Sequence, residues 1–201
     1  MQIILQLPPG PIVTRNSCLT SPASQEIPQP FLDARQIRIR VFCEEQNCSL
    51  EGEIDEDDPR SWSWIAYETS ESDNINNNHN NSSEPVATIR IVPPPHAPHP
   101  NGFHDPTEEA YIKLTRVATL PHARGRGLSR ILLARACDYL AQRPDEVSPE
   151  WNGLILTHAQ VDVEGMYLKL GFVTDERLGR WDEEGIQHLG MWKRIDVKRY
   201  T

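Results

Sequence analysis

The sequence contains no apolar run long enough to span a bilayer, so a membrane-spanning protein is not expected. Its first residues, Met1-Gln-Ile-Ile-Leu-Gln-Leu-Pro8, carry no basic segment, and their apolar stretch is too short for a secretory signal. A cytoplasmic location is the expectation, with the nucleus as the alternative. Cysteine is scarce: Cys18, Cys43, Cys48 and Cys137 form neither a Cys-x-x-Cys redox pair nor a zinc framework. Reduced, packed thiols are expected. Basic residues are outnumbered, 20 against 29 acidic ones, for a net charge of −9. That balance argues against general nucleic-acid binding. No internal repeat is visible, and a chain of 201 residues is expected to form one domain over 1–201.

Two stretches have little to bury and are expected as disordered inserts. One lies over 70–84 and contains Asn-Ile-Asn-Asn-Asn-His-Asn-Asn-Ser-Ser; the other spans 93–107, with many prolines and His96, His99 and His104. A metal needs fixed geometry, which such a segment does not provide, so no metal is expected. Much of the negative charge is local, from Glu44, Glu45, Glu51 and Glu53 to Asp55, Glu56, Asp57 and Asp58. Such a segment reads either as a solvated acidic loop or as a rim that attracts a cationic substrate.

Between these lie periodic segments. Gln2 to Leu7 reads as a strand ended by Pro8-Pro9-Gly10. From Phe31 to Gln46, residues Ala34, Ile37, Val41 and Phe42 share one helical face, with Arg35 and Arg38 off it. Strands are expected over Trp62–Tyr67, Val86–Val92, Tyr111–Thr119 and Trp151–His158, then from Phe172 and near His188–Lys193; helices over Leu128–Gln142 and Ala159–Leu170. Gly171 stands where a glycine stops a helix. The order describes an α/β domain around a mixed sheet.

The most informative stretch runs from Leu114 through Arg124-Gly125-Arg126-Gly127-Leu128-Ser129-Arg130 to Ile131. A strand leads into a glycine- and arginine-rich turn and then into a helix, which suits an anion at a helix N-terminus. Gly125 and Gly127 can take φ > 0 and admit a phosphate close to the main chain. Arg124, Arg126 and Arg130 supply cationic donors. The Gly, four residues, Gly-Lys-Ser/Thr loop of nucleotide triphosphatases is absent, and Arg130 stands where the dinucleotide fingerprint needs its third glycine.

Arg124-Gly-Arg-Gly-Leu-Ser129 resembles the Arg/Gln-x-x-Gly-x-Gly/Ala signature of the GNAT superfamily of N-acetyltransferases, with Ser129 in place of the final Gly or Ala. Thr157-His-Ala-Gln160 followed by Met166-Tyr-Leu-Lys-Leu-Gly-Phe172 resembles the family's late strand and helix. Val41-Phe-Cys-Glu-Glu-Gln46 and Asp182-Glu-Glu-Gly-Ile-Gln-His188 are similar to its ElaA-like branch. The resemblance spans roughly residues 31–193 and implies the GNAT fold, a mixed, mostly antiparallel sheet flanked by helices.

It also implies a reaction: acetyl transfer from acetyl-CoA to a primary amine of a small molecule or peptide by direct attack in a ternary complex. The alternative is a non-catalytic CoA-binding or interaction module on the same fold. The resemblance places the pyrophosphate at Arg124, Gly125, Arg126, Gly127, Leu128 and Ser129, and the pantetheine arm along the backbone of Arg116, Val117, Ala118 and Thr119. It gives Gln160 a contact with that arm and makes Tyr167 the general acid toward the departing sulfur. Glu45, Gln46 and His188 are the candidates to meet the amine. Glu45 is a candidate base, with His188 and His158 as others.

Overall fold

The computed structural model describes residues 1–14, 27–69 and 83–199. Cys18 and most of the expected 70–84 insert lie outside them. The chain reads from sequence as one domain; by its internal contacts it divides into two compact units, Met1–Arg90 with Arg116–Leu133, and Ile91–Thr115 with Ala134–Thr201.

The first unit holds strand β1 (Gln2–Gln6), helix α1 (Gln29–Arg38), strand β2 (Trp62–Thr69) and most of β3 (Ser83–Val92). It also takes the last residues of β4 (Tyr111–Thr119). The strands follow the order β1-β2-β3-β4, with β1 antiparallel to β2 from Gln2↔Tyr67 to Gln6↔Ser63. Helix α1 carries Pro30 in its first turn, whose N–H groups have no partner in the helix. The helix continues over Ile39–Glu45 with π-type hydrogen bonding, and Gln46 N donates to Val41 O at 3.2 Å. Ala34, Ile37 and Val41 pack on Ile65, Tyr67, Ala118 and Leu120, the helical face expected from spacing. A fully buried residue of the size of Ile37 contributes about 1.5–3 kcal/mol.

Arg38 corrects that reading of the helix. Expected off the buried face, it is 1% exposed. Its guanidinium grips Asp58, Nη1 to Oδ1 at 2.7 Å and Nη2 to Oδ2 at 3.2 Å, and also pairs with Glu53. Arg90 grips Asp55 at 2.7 and 2.8 Å and reaches Asp58 at 2.9 Å. Arg116 reaches Asp55 at 3.1 Å. The acidic segment is therefore neither a solvated loop nor a rim at Glu53 and Asp58, which are 3% and 1% exposed. Three arginines and three carboxylates neutralise one another inside the first unit.

The second unit carries the start of β4, most of helix α2 (Leu128–Ala141) and the short helix α3 (Pro144–Val147). After these come β5 (Leu154–Gln160), α4 (Glu164–Lys169), β6 (Val173–Thr174), β7 (Arg180–Glu183) and β8 (Ile186–Arg194). Its strands follow the order β4-β5-β8-β6, and β7 pairs with β8. The β4–β5 ladder is parallel and runs from Tyr111↔Leu154 to Leu114↔Thr157; β5, β6 and β7 each pair with β8 antiparallel. The helix expected over Ala159–Leu170 is shorter, because β5 runs to Gln160 and a 3-10 turn, Val161–Val163, precedes α4. Gly171 ends it at φ 82°. Strand β7 escaped the sequence reading. A two-residue turn, Glu184 at φ 52° and Gly185 at φ 84°, folds it onto β8.

The proline-rich stretch 93–107, expected as a disordered insert, is instead a packed strap. His96 stacks on Tyr111 at 4.5 Å, and the 7%-exposed His99 bonds Glu108 Oε1 at 2.5 Å. Phe103 packs with Leu154, Leu156, Leu178, Trp181 and Trp192. Composition hid this because the strap is ordered by aromatic partners distant in sequence. No helix among the described residues is long and apolar enough to cross a membrane.

Candidate active site

Strand β4 and the turn after it carry the residues expected from sequence to meet an anion. The turn has the backbone expected of it: Gly125 and Gly127 lie at φ 75° and 73°. Among the described residues, a Cβ on Gly125 would meet no heavy atom within 4 Å, and one on Gly127 only the tip of Arg130 at 3.8 Å, so none of them fills the space over either glycine. Ile131 N donates to Gly127 O at 3.1 Å, so α2 begins at that carbonyl and the preceding N–H groups have no partner within the helix. Thr119 Oγ1 and Ser129 Oγ stand 3.4 Å apart, bringing two expected cofactor residues together.

Both loop arginines already hold carboxylates. Arg124 forks onto Glu45 at 2.7 and 2.6 Å and donates through Nε to Thr119 O at 3.0 Å. Arg126 pairs with Glu68 at 2.6 Å. Glu45, the candidate base, thus lies beside the loop, but its hydrogen bond with Arg124 holds its carboxyl below the usual range. It can serve the amine as base only once Arg124 has turned elsewhere. Gln46 closes the same helical segment. The partnership of Glu68 with Arg126 was not found from sequence, since nothing local in Tyr67-Glu68-Thr69 marks it.

In the second unit, Tyr167 on α4 is 5% exposed and sits edge-on to Phe172 at 5.5 Å. Burial pushes its hydroxyl up to about 12, partly offset by a hydrogen bond with the Thr157 side chain. Thr157 in turn donates to Leu114 O at 3.1 Å. Gln160 and His188 are directly opposite each other in the β5–β8 ladder. His188 Nδ1 lies 2.9 Å from Ile186 O. A carbonyl only accepts, so Nδ1 is the donor in this contact, and in the neutral tautomer that it selects the lone pair lies on Nε2.

His158 is the less suitable base. Burial, then the charges of Lys113 and neighbouring histidines, push it down to about 3. Its ring meets Trp181 edge-on at 4.8 Å, and among the described residues its buried Nε2 has no hydrogen-bond partner. The folded protein therefore keeps His158 neutral while the unfolded chain takes up a proton below about pH 6.5. Its contribution to stability is present above that pH and is lost as the pH falls toward 3. His158→Phe should remove up to one proton's worth of this slope, ~1.4 kcal/mol per pH unit, between pH 6 and 5. Urea unfolding of both proteins across that range measures it, and parallel curves would refute it.

The fold and this loop define an acyltransferase that draws on an acyl-CoA. The chain belongs to the Acetyltransferase (GNAT) family, whose model matches residues 39–172. Among solved structures it is similar to Escherichia coli ElaA, with a TM-score of 0.58 and 20% identity over 96% of this chain and 100% of that one. An acyl-CoA N-acyltransferase from Pseudomonas aeruginosa gives 0.59 and 19% over 96% and 98%. The CoA-dependent acyl-homoserine lactone synthase BjaI, solved with SAM and isopentyl-CoA, gives 0.56 and 16% over 85% and 78%. At these identities the likeness is one of fold.

Proposed function

We propose that the protein transfers an acetyl group from acetyl-CoA to a primary amine of a small molecule or peptide, by direct attack in a ternary complex. The observation that carries this reading is the open, left-handed glycine turn at the start of α2, flanked by Arg124 and Arg126. Main-chain N–H groups from Gly125 to Ser129 and the two guanidinium forks would hold the pyrophosphate. The backbone of Val117, Ala118 and Thr119, with the Gln160 amide, would hold the amide-rich arm. Bound there, acetyl-CoA supplies an activated carbonyl carbon and a sulfur leaving group.

The residues of the chain divide the remaining work. N–H groups of β4 donate to the carbonyl oxygen as negative charge develops on it, and a donor so placed contributes about 3 kcal/mol to lowering the barrier. Tyr167 donates toward the sulfur. Glu45 and Gln46 receive the amine, and the Nε2 lone pair of His188 or a released Glu45 takes its proton.

A panel of polyamines, amino acids, amino sugars and peptides, each offered with acetyl-CoA, tests the reading through release of CoA thiol. Tight CoA binding without turnover on any amine would make the protein a CoA-binding module instead. Arg124→Glu is expected to weaken CoA about tenfold or more by calorimetry. Its melting temperature should move by only about 2 °C, because the Arg124–Glu45 pair is exposed. Unchanged affinity removes the loop from the site.

A further inference from the structure

Strand β4 contains a left-handed residue that is not glycine. Arg116 lies at φ 50°, and among the described residues it is the one such residue inside a strand. An L side chain disfavours this conformation, so something must hold it. The hold is visible. Arg116 Nη2 donates to Gly52 O at 2.9 Å and to Asp55 Oδ2 at 3.1 Å. Asp55 is itself clamped by both terminal nitrogens of the buried Arg90, and its Oδ1 accepts from the backbone N–H groups of Asp57 and Asp58 at 3.0 and 3.2 Å. The anchor is therefore rigid and distant in sequence, while Val117, Ala118 and Thr119 follow immediately in the strand.

We infer that Asp55 and Arg116 are positioning residues for the transfer step: their ion pair pins the left-handed turn of β4 and so fixes the direction of the Val117–Thr119 N–H groups. The inference rests on the reading of those groups as donors to the arm and carbonyl of acetyl-CoA. A buried ion network spanning α1, the acidic segment and β3 then has a role beyond cohesion, because it ends on the residue that bends the strand.

Three variants separate the parts. Arg116→Gly keeps φ near +50° accessible but removes the anchor. Arg116→Lys keeps the charge and loses the fork. Asp55→Asn keeps the shape and loses the charge. Arg116→Gly is expected to lower kcat about tenfold or more, since loss of alignment in the reacting geometry costs on that order. KM for acetyl-CoA should change less than about threefold, the phosphate turn being untouched. Arg116→Lys should recover part of kcat.

Amide NMR supplies a readout independent of turnover. CoA should shift Val117–Thr119 and Gly125–Ser129 in the wild type, but only Gly125–Ser129 in Arg116→Gly and Asp55→Asn. Unaltered kcat and unaltered Val117–Thr119 shifts in folded variants overturn the positioning role alone. A wild type that neither shifts with CoA nor turns over overturns the acetyl-CoA reading and this role with it.

Discussion

Tyr167→Phe is expected to lower kcat about a hundredfold while leaving KM for acetyl-CoA nearly unchanged. The substitution keeps the ring and its edge-on packing against Phe172, and removes only the hydroxyl and its hydrogen bond with Thr157. The stability cost is therefore about 1 kcal/mol. A hydroxyl pushed up to about 12 stays protonated throughout the working range. Loss of its proton cannot produce a basic limb in the pH–rate profile below about pH 10. The same elevation makes complete transfer to a thiolate, whose acid titrates near 8.5, uphill by several pH units. Tyr167 would act chiefly as a hydrogen-bond donor to the sulfur, which gives an effect nearer a hundredfold than ten-thousandfold. Steady-state kinetics decide the matter: kcat within about threefold of wild type would leave Tyr167 a core residue.

Asp58→Ala is expected to cost about 3–5 kcal/mol, the largest stability loss among the substitutions discussed. Asp58 bonds Arg38 and Arg90, both buried, so its removal takes a carboxylate from two interior guanidinium groups and leaves Arg38 to Glu53 and Arg90 to Asp55. Urea unfolding measures it, and a loss under about 1 kcal/mol for Asp58→Ala would mean water reaches the cluster. The arginines hold the Asp58 carboxyl well below its ordinary value. Its contribution is present above about pH 4 and is lost as the pH falls toward the folded-state value. Glu53 acts oppositely, since burial raises its carboxyl. Its contribution is complete below the ordinary glutamate range and declines as the pH rises through the raised value.

What the sequence disclosed depended on the range of the interaction. Strand β4, the start of α2 and the stop at Gly171 rest on neighbours within a few residues, and their positions agree with the structure. The acidic segment and the proline-rich strap were misread because their partners are far away. Asp58 is 20 residues from Arg38, Asp55 is 35 from Arg90, and Asn101 donates to Leu178 O, 77 residues on. Arg38 itself carries a charge that spacing arguments assign to solvent. For the site, the left-handed backbone of the turn before α2 was legible from its glycines alone. The assignments of Tyr167, Gln160 and His188 leaned on family resemblance, because no local pattern distinguishes a reactive tyrosine from a packed one.

The carboxylates on Arg124 and Arg126 alter what arrives with a phosphate. The turn is not a bare positive site waiting for charge, since Glu45 and Glu68 already occupy the guanidinium groups. Phosphate binding there would be an exchange of one anion for another, and the electrostatic gain would be the difference between phosphate and carboxylate rather than the whole attraction. Affinity should then depend on salt less steeply than the number of arginines suggests. Each carboxylate so released would become a new negative charge beside the loop, and Glu45 would change from a partner of arginine into an acceptor for a cation. Arrival of the cofactor would thus create the charge that draws in the amine, a reason for binding in that order.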